Sequence, residues 1–346
     1  MPEITKFYKR NYSTPENCFP VNKPIALQLL FSVLAWIIIV TLIVGCGDNQ
    51  NKPIINSNSN SKSNSNRESA QGIAETKKLE RIISTTPAIT ELLFEIGLGD
   101  KIVGDSAFTL YPPEAAKIEK IGGLYDRNNE KIISLQPDLV VFPFEDVQFD
   151  QKLAQYKIGR LAVDHRSISG LLESYELVGK LFGGDYLERA RKKRREFEDF
   201  LRECKSQSEK LKKLRVLTII DRQRGTGRID NVFIAGADLF FSEILSLAGG
   251  ENVASNLSVP YPNISTEAII DFNPDVIIDL QVIPEDDKSM EKTLRSDWDT
   301  IKELVPAVKR GDIFIITDNY ISIPGPRIPL IIKKFRKILD SCREKK

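Results

Sequence analysis

Two stretches of this chain superimpose on each other without a gap. Glu130-Lys-Ile-Ile-Ser-Leu-Gln-Pro137-Asp138-Leu-Val-Val141 returns 137 residues later as Glu267-Ala-Ile-Ile-Asp-Phe-Asn-Pro274-Asp275-Val-Ile-Ile278. Each copy spells a helix start, a stop and a strand. Asn128 and Ser265 are good N-caps, which puts Glu130 and Glu267 in the first helical turn, where the macrodipole favours a carboxylate. Pro137 and Pro274 end the short helices. Leu139-Val-Val-Phe142 and Val276-Ile-Ile278 are apolar without alternation, which suits parallel strands covered on both faces. A repeat of this length predicts one small architecture built twice.

Other segments keep the same order. Ser242-Glu-Ile-Leu-Ser-Leu-Ala-Gly249 answers Thr90-Glu-Leu-Leu-Phe-Glu-Ile-Gly97, and Lys309-Arg-Gly311-Asp-Ile-Phe-Ile-Ile316 answers Lys157-Ile-Gly159-Arg-Leu-Ala-Val163, both at an offset of 152. Helices alternating with buried strands give an α/β class: two similar lobes around mostly parallel sheets. Between them Asp185 and Glu188 read as a capping box opening a helix, with apolar residues at helical spacing from Leu187 to Leu214. One long helix over 184–214 would then join a lobe at 79–183 to a lobe at 215–346. A ligand cleft would lie between the lobes, where their loops face each other.

The first 78 residues stand apart. Lys6, Lys9, Arg10 and Lys23 outnumber Glu3 and Glu16, and Ile25 to Val44 carries no charge. This is an export signal or a membrane anchor. It closes on Ile43-Val44-Gly45-Cys46, which resembles the lipobox of bacterial lipoproteins, with residues 1–45 as signal and Cys46 as the lipidated residue. A plain membrane-spanning helix is the alternative, and both place the remainder outside the cytoplasm. Asn49 to Ala70, rich in Asn and Ser, lacks the apolar residues a core needs, so 46–78 reads as lipidated Cys plus disordered tether. Cys204 and Cys342 lie on charged, helix-like segments without metal-site spacing, and free thiols are expected.

The order Arg81-Ile-Ile-Ser-Thr-Thr-Pro87-Ala-Ile-Thr-Glu91, Tyr111-Pro-Pro113, Gly122-Gly123, the Glu130 block, Leu247-Ala-Gly-Gly-Glu-Asn252, Glu267 and Pro324-Gly-Pro-Arg327 resembles the substrate-binding proteins of ABC importers for cobalamin and ferric siderophores. The resemblance runs from about residue 79 to the C-terminus. It implies two α/β lobes bridged by one helix, a solute held between them, and delivery to an inner-membrane permease. In that family one exposed Glu on each lobe pairs with Arg of the permease, and those positions match Glu130 and Glu267. The cleft positions fall at Thr86, Phe108, Tyr125, Arg222, Arg224, Tyr320 and Arg327. Arg222, Arg224 and Arg228 crowd one glycine-bearing loop, and guanidinium groups suit anionic oxygens. That tilts the expected cargo towards an anionic chelate, with cobalamin as the alternative. Arg327, in Pro-Gly-Pro-Arg, has a structural reading beside the ligand-binding one.

Other classes find little support. Lys plus Arg number 49 against 48 Asp plus Glu, with no basic excess for nucleic acid. The Arg189–Arg195 run is interleaved with Glu and reads as a solvated helix face. A single histidine, His165, excludes a His-rich metal cage and reads as a surface imidazole. No phosphate loop, nucleophile elbow or Cys-His pairing is present. The chain is therefore expected to be a monomeric, membrane-anchored, cofactor-free binding lipoprotein that takes a small-molecule metal chelate. A sensor or adhesin on the same lobes, without a permease, stays open.

Overall fold

The computed structural model describes residues 70–71, 78–124, 126–237, 239–281 and 288–345. All belong to one compact unit, Ser65–Lys346. The Ile25–Val44 segment, Cys46 and Tyr125 lie outside the described residues. Among those residues no helix is long and apolar enough to cross a membrane.

The repeat becomes two sheets. In the first, β2 (Ile82–Ser84), β3 (Ile102–Asp105), β4 (Glu119–Lys120), β5 (Leu139–Pro143) and β6 (Gly159–Val163) run parallel, in spatial order 6-5-2-3-4. Ala70–Gln71 (β1) adds antiparallel to the outer side of β6, Ala70 opposite Leu161. The end of the expected tether thus pairs with an open sheet edge, whose row of unmatched N–H and C=O groups accepts any extended backbone. In the second sheet β7 (Leu214–Asp221), β11 (Val276–Leu280) and β12 (Ile313–Ile316) are parallel. β9 (Gly250–Asn252) pairs parallel with the start of β7. β8 (Val232–Ile234) pairs antiparallel with the far end of β7, a reversal the repeat did not predict, and β10 (Asn263–Ile264) pairs antiparallel with β8.

Each sheet has its own core. Ile83, Val140 and Phe142 pack with Ile132, Phe149 and Leu153. Leu217, Ile219 and Ile277 pack with Ile269, Trp298 and Val305. The repeated helices α1 (Pro87–Glu95), α2 (Asn129–Ser134), α3 (Val147–Gln155) and α4 (Ile168–Phe182) belong to the first sheet.

α5 runs Gly184–Ser208 without a break, about 37 Å at 1.5 Å per residue. Its start is not a capping box. Gly183, at φ +66°, both ends α4 and opens α5, so Asp185 sits in the first turn and caps nothing. Its end falls six residues before the expected Leu214, which begins β7 instead and donates its N–H to the Gly249 carbonyl at 3.4 Å. The second half continues with α6 (Leu239–Ala248), α7 (Thr266–Phe272), α8 (Lys288–Asp297), α9 (Pro306–Arg310) and α10 (Ile328–Glu344). α4 packs on α5, α5 on α6 and α6 on α10, so a continuous layer of helices links the sheets. Cys204 on α5 and Cys342 on α10 are buried free thiols.

Candidate functional site

Parallel strands end on a common edge, and the two carboxyl edges carry the candidate residues. Thr86 follows β2 as the N-cap of α1, its Oγ1 accepting the Ile89 N–H at 3.4 Å. Phe108 follows β3, half-buried, where Gly123 admits its ring: a Cβ there would lie 2.7 Å from Phe108 Cε2. Tyr320 follows β12, half-buried, with its phenol pushed up by burial and by nearby Asp318.

The two edges meet at Arg327. It precedes α10, and its guanidinium donates in a two-pronged contact to Glu91 of α1, Nη2 to Oε1 at 2.7 Å and Nε to Oε2 at 2.9 Å. The planar fork matches the carboxylate. Tyr111 lies 4.6 Å and Tyr320 5.2 Å, ring centroid to Cζ, from that guanidinium. The loop before it packs on α1 as well, since a Cβ on Gly325 would meet Ala88 Cα at 3.1 Å. Tyr111, Tyr320 and Arg327 are thereby gathered at one place, against α1. Glu91 is almost wholly buried, and burial pushes its carboxyl up while Arg327 pulls it back.

The Arg-rich loop corrects an expectation. Arg222 does not face a ligand: its side chain is 0% exposed. Nε donates to Asp279 Oδ2 at 2.9 Å, Nη1 to Asp297 Oδ2 at 2.7 Å and Nη2 to the Leu294 carbonyl at 2.9 Å. Asp297 also accepts the N–H groups of Gly225 and Gly227, at 3.0 and 2.9 Å. The network therefore pins the loop from beneath. Arg224 is half-buried with Asp221 at 3.9 Å, and exposed Arg228 pairs with Asp230 at 3.0 Å. Every guanidinium of the loop has a carboxylate partner, which removes the basis for the tilt towards an anionic cargo.

His165 is not a surface imidazole either. It follows β6, half-buried, with Nε2 shut off from solvent and unpartnered, and burial pushes its pKa down to about 4. Beside it Arg166 lies 4.1 Å over the exposed ring of Phe144, at the end of β5. Sequence reasoning did not place Glu91, Tyr111, Phe144 or Arg166 at the site. Two of them carried a signal, Glu91 in its match to Glu243 of the second repeat and Tyr111 in the Tyr-Pro-Pro motif.

The two repeated carboxylates open the short helices α2 and α7. Asn128 accepts the Lys131 N–H at 2.9 Å and Ser265 the Ala268 N–H at 3.4 Å, each capping its helix. Glu130 and Glu267 are both exposed in the first turns of α2 and α7. The Glu267 carboxyl accepts its own N–H and the Ser265 hydroxyl, which hold it below the usual carboxylate range.

Comparison with known proteins places this geometry. A vitamin B12-binding protein of Vibrio parahaemolyticus is 26% identical over 273 residues, covering 78% of this chain and 92% of its own. The ABC transporter substrate-binding lipoprotein YvrC of Bacillus subtilis is 26% identical over 306 residues, 85% of this chain and 91% of its own. The crystal structure of the periplasmic vitamin B12 binding protein BtuF of Vibrio cholerae shares the fold, with a TM-score of 0.66 at 23% identity, over 77% of this chain and 98% of that one. The family model for periplasmic binding protein matches residues 82–320, and the chain belongs to that family.

Proposed function

We propose that this protein is the solute-binding lipoprotein of an ABC importer. It captures a bulky metal chelate, a ferric siderophore or cobalamin, between lobes at 79–183 and 215–346. It then delivers that cargo to a membrane permease docked on Glu130 and Glu267. Thr86, Phe108, Tyr125, Arg224 and Tyr320 face the cargo. Arg327 contributes through the tyrosines beside it, and Cys46 carries the lipid. The relatives named above are binding proteins rather than enzymes, and one is itself named a lipoprotein.

The observation that carries the docking reading is the pairing of two capped, exposed carboxylates at the same place in each repeat. Complementing a helix dipole, worth about 0.3–1 kcal/mol, accounts for either Glu alone. It does not account for one on each lobe facing solvent, whereas docking on a two-fold permease requires both. Titrating the full chain in detergent with a panel of ferric siderophores and cyanocobalamin is expected to give one saturable heat. Uptake of that cargo by cells should fall at least about tenfold when Glu130→Lys and Glu267→Lys are combined, the size of one lost buried ion pair. Binding by no member of the panel would sink the cargo assignment. Unchanged uptake in the double variant would favour a sensor working without a permease.

A further inference from the structure

The repeat that places Glu130 and Glu267 on matching helices places a second pair of carboxylates in α1 and α6. Glu91 and Glu243 stand 152 residues apart at equivalent positions, and both reach into the opposite half of the molecule. Glu91 takes both prongs of Arg327, the N-cap residue of α10. Glu243 Oε2 accepts the N–H of Ile168, the first residue of α4, at 2.8 Å. Neither Glu caps its own helix, and α4 already has a local cap, Ser167, whose Oγ takes the Gly170 N–H at 3.1 Å. A carboxylate as buried as Glu91 persists only with a partner, and that partner comes from the other lobe.

We infer that Glu91 and Glu243 are positioning residues that form a two-point clasp and set the width of the cleft: each lobe sends one carboxylate to hold the start of the other lobe's last helix. The Tyr111–Arg327–Tyr320 stack lies at one of these points, so the clasp also fixes the separation of two aromatic rings contributed by opposite lobes.

The clasp contains its own reporter. The first N–H groups of a helix have no acceptor within it, so the Ile168 amide is protected from exchange through Glu243. Hydrogen–deuterium exchange on the full chain in detergent, without cargo, reads it directly. Glu243→Ala should speed exchange at Ile168 by about tenfold, the loss expected for one charge-assisted hydrogen bond. Glu91→Gln alters the Arg327 contact and leaves the acceptor of the Ile168 amide in place, yet it should also raise exchange there, by about threefold, because the two points share one lobe-to-lobe equilibrium. Val140 and Ile277, in the centres of the two sheets, should not change. Combining Glu91→Arg with Arg327→Glu should restore protection. Should Glu91→Gln not fold, Arg327→Lys keeps the charge, loses the two-pronged contact and carries the same expectations. Unchanged exchange at Ile168 in both variants would overturn the clasp, and so would a parallel rise at Val140. Because no cargo is added, either outcome is independent of which solute the cleft takes.

Discussion

Burying Arg222 between Asp279 and Asp297 puts three charges in the interior of the second lobe, and their sum is one negative. Each of the four carboxylate oxygens accepts at least one hydrogen bond. Asp279 accepts the Trp298 indole N–H at 3.0 Å and the Gln281 amide at 2.6 Å, and Asp297 takes the two glycine N–H groups of the loop. Breaking such a cluster by removing one partner strands the others, at a cost of about 3–5 kcal/mol. Arg222→Met should therefore lower the urea midpoint by that equivalent. Arg228→Ala, on the exposed tip of the same loop, should stay within about 0.5 kcal/mol of the parent. Equal effects in both would refute the assignment. His165 and Asp105 bring opposite pH dependences. The His165 pKa falls from 6.5 to about 4 through burial, so the unfolded chain binds the extra proton between those values. Stability from His165 is present above pH 6.5 and lost as pH falls through about 4, up to roughly 3 kcal/mol. Burial raises Asp105 from 3.8 to about 6 despite Lys120 at 2.8 Å, so its contribution is present below pH 3.8 and lost as pH rises through about 6. His165→Gln should leave the descending limb: melting temperatures of that variant, measured from pH 4 to 6.5, should fall relative to the parent as pH rises.

The helix–strand unit is fastened in the same way in both repeats. Asp138 accepts the Glu80 and Arg81 N–H groups at 3.0 Å each, and Asp275 accepts the Arg215 N–H at 2.9 Å. Arg81 and Arg215 return the contact to the last carbonyls of the short helix, Arg81 to Leu135 at 2.7 Å and Arg215 to Phe272 at 2.6 Å. The Pro-Asp pair thus ties the end of a helix to the start of the neighbouring strand. Asp275→Ala should cost about 2 kcal/mol by chemical denaturation, as expected for hydrogen bonds to a charged acceptor. Asp275→Asn should recover part of that, and no recovery would show that the charge itself is what counts. These units were legible because their caps and apolar runs are local. Gln136 and Asn273, each before a Pro, take φ of +48° and +41°, and only the second is a residue type that announces it. Helix α5 was legible in existence but not in its ends. Gly183 stops one helix and starts the next in a single residue, and Leu211 and Leu214 keep the helical apolar period although Leu214 already belongs to a strand. Periodicity records which side is buried, not which element buries it.

At the scale of the molecule, the site was legible only where a residue's partner is close in sequence. Arg222, read as a free cation in a glycine-bearing loop, meets carboxylates 57 and 75 positions away, and Arg327 meets one 236 away. No local pattern carries that information. The helical layer shows the same dependence on distant partners. Arg336 of α10 donates to the Leu247 carbonyl at 2.6 Å, in the last turn of α6, and to the Cys204 carbonyl at 3.3 Å, one turn before the end of α5. Carbonyls in a final turn lack intrahelical donors, and the negative end of each dipole favours a cation. One guanidinium therefore closes α6 and ties it to α5, two helices whose contact joins the halves of the molecule. Arg336→Ala should destabilise by about 2–3 kcal/mol, lowering the melting temperature by roughly 2–4 °C per kcal/mol at this chain size. Arg336→Lys keeps the charge but has a single ammonium to span two carbonyls, so it should recover less than half. Arg343 serves the same end of α6 through the Gly249 carbonyl. Replacing both arginines by Ala should then differ from the sum of the single effects by at least about 0.5 kcal/mol, the mark of side chains that share a partner. Strict additivity, or full recovery in Arg336→Lys, would reduce these arginines to surface charges and leave the contact between α5 and α6 to packing alone.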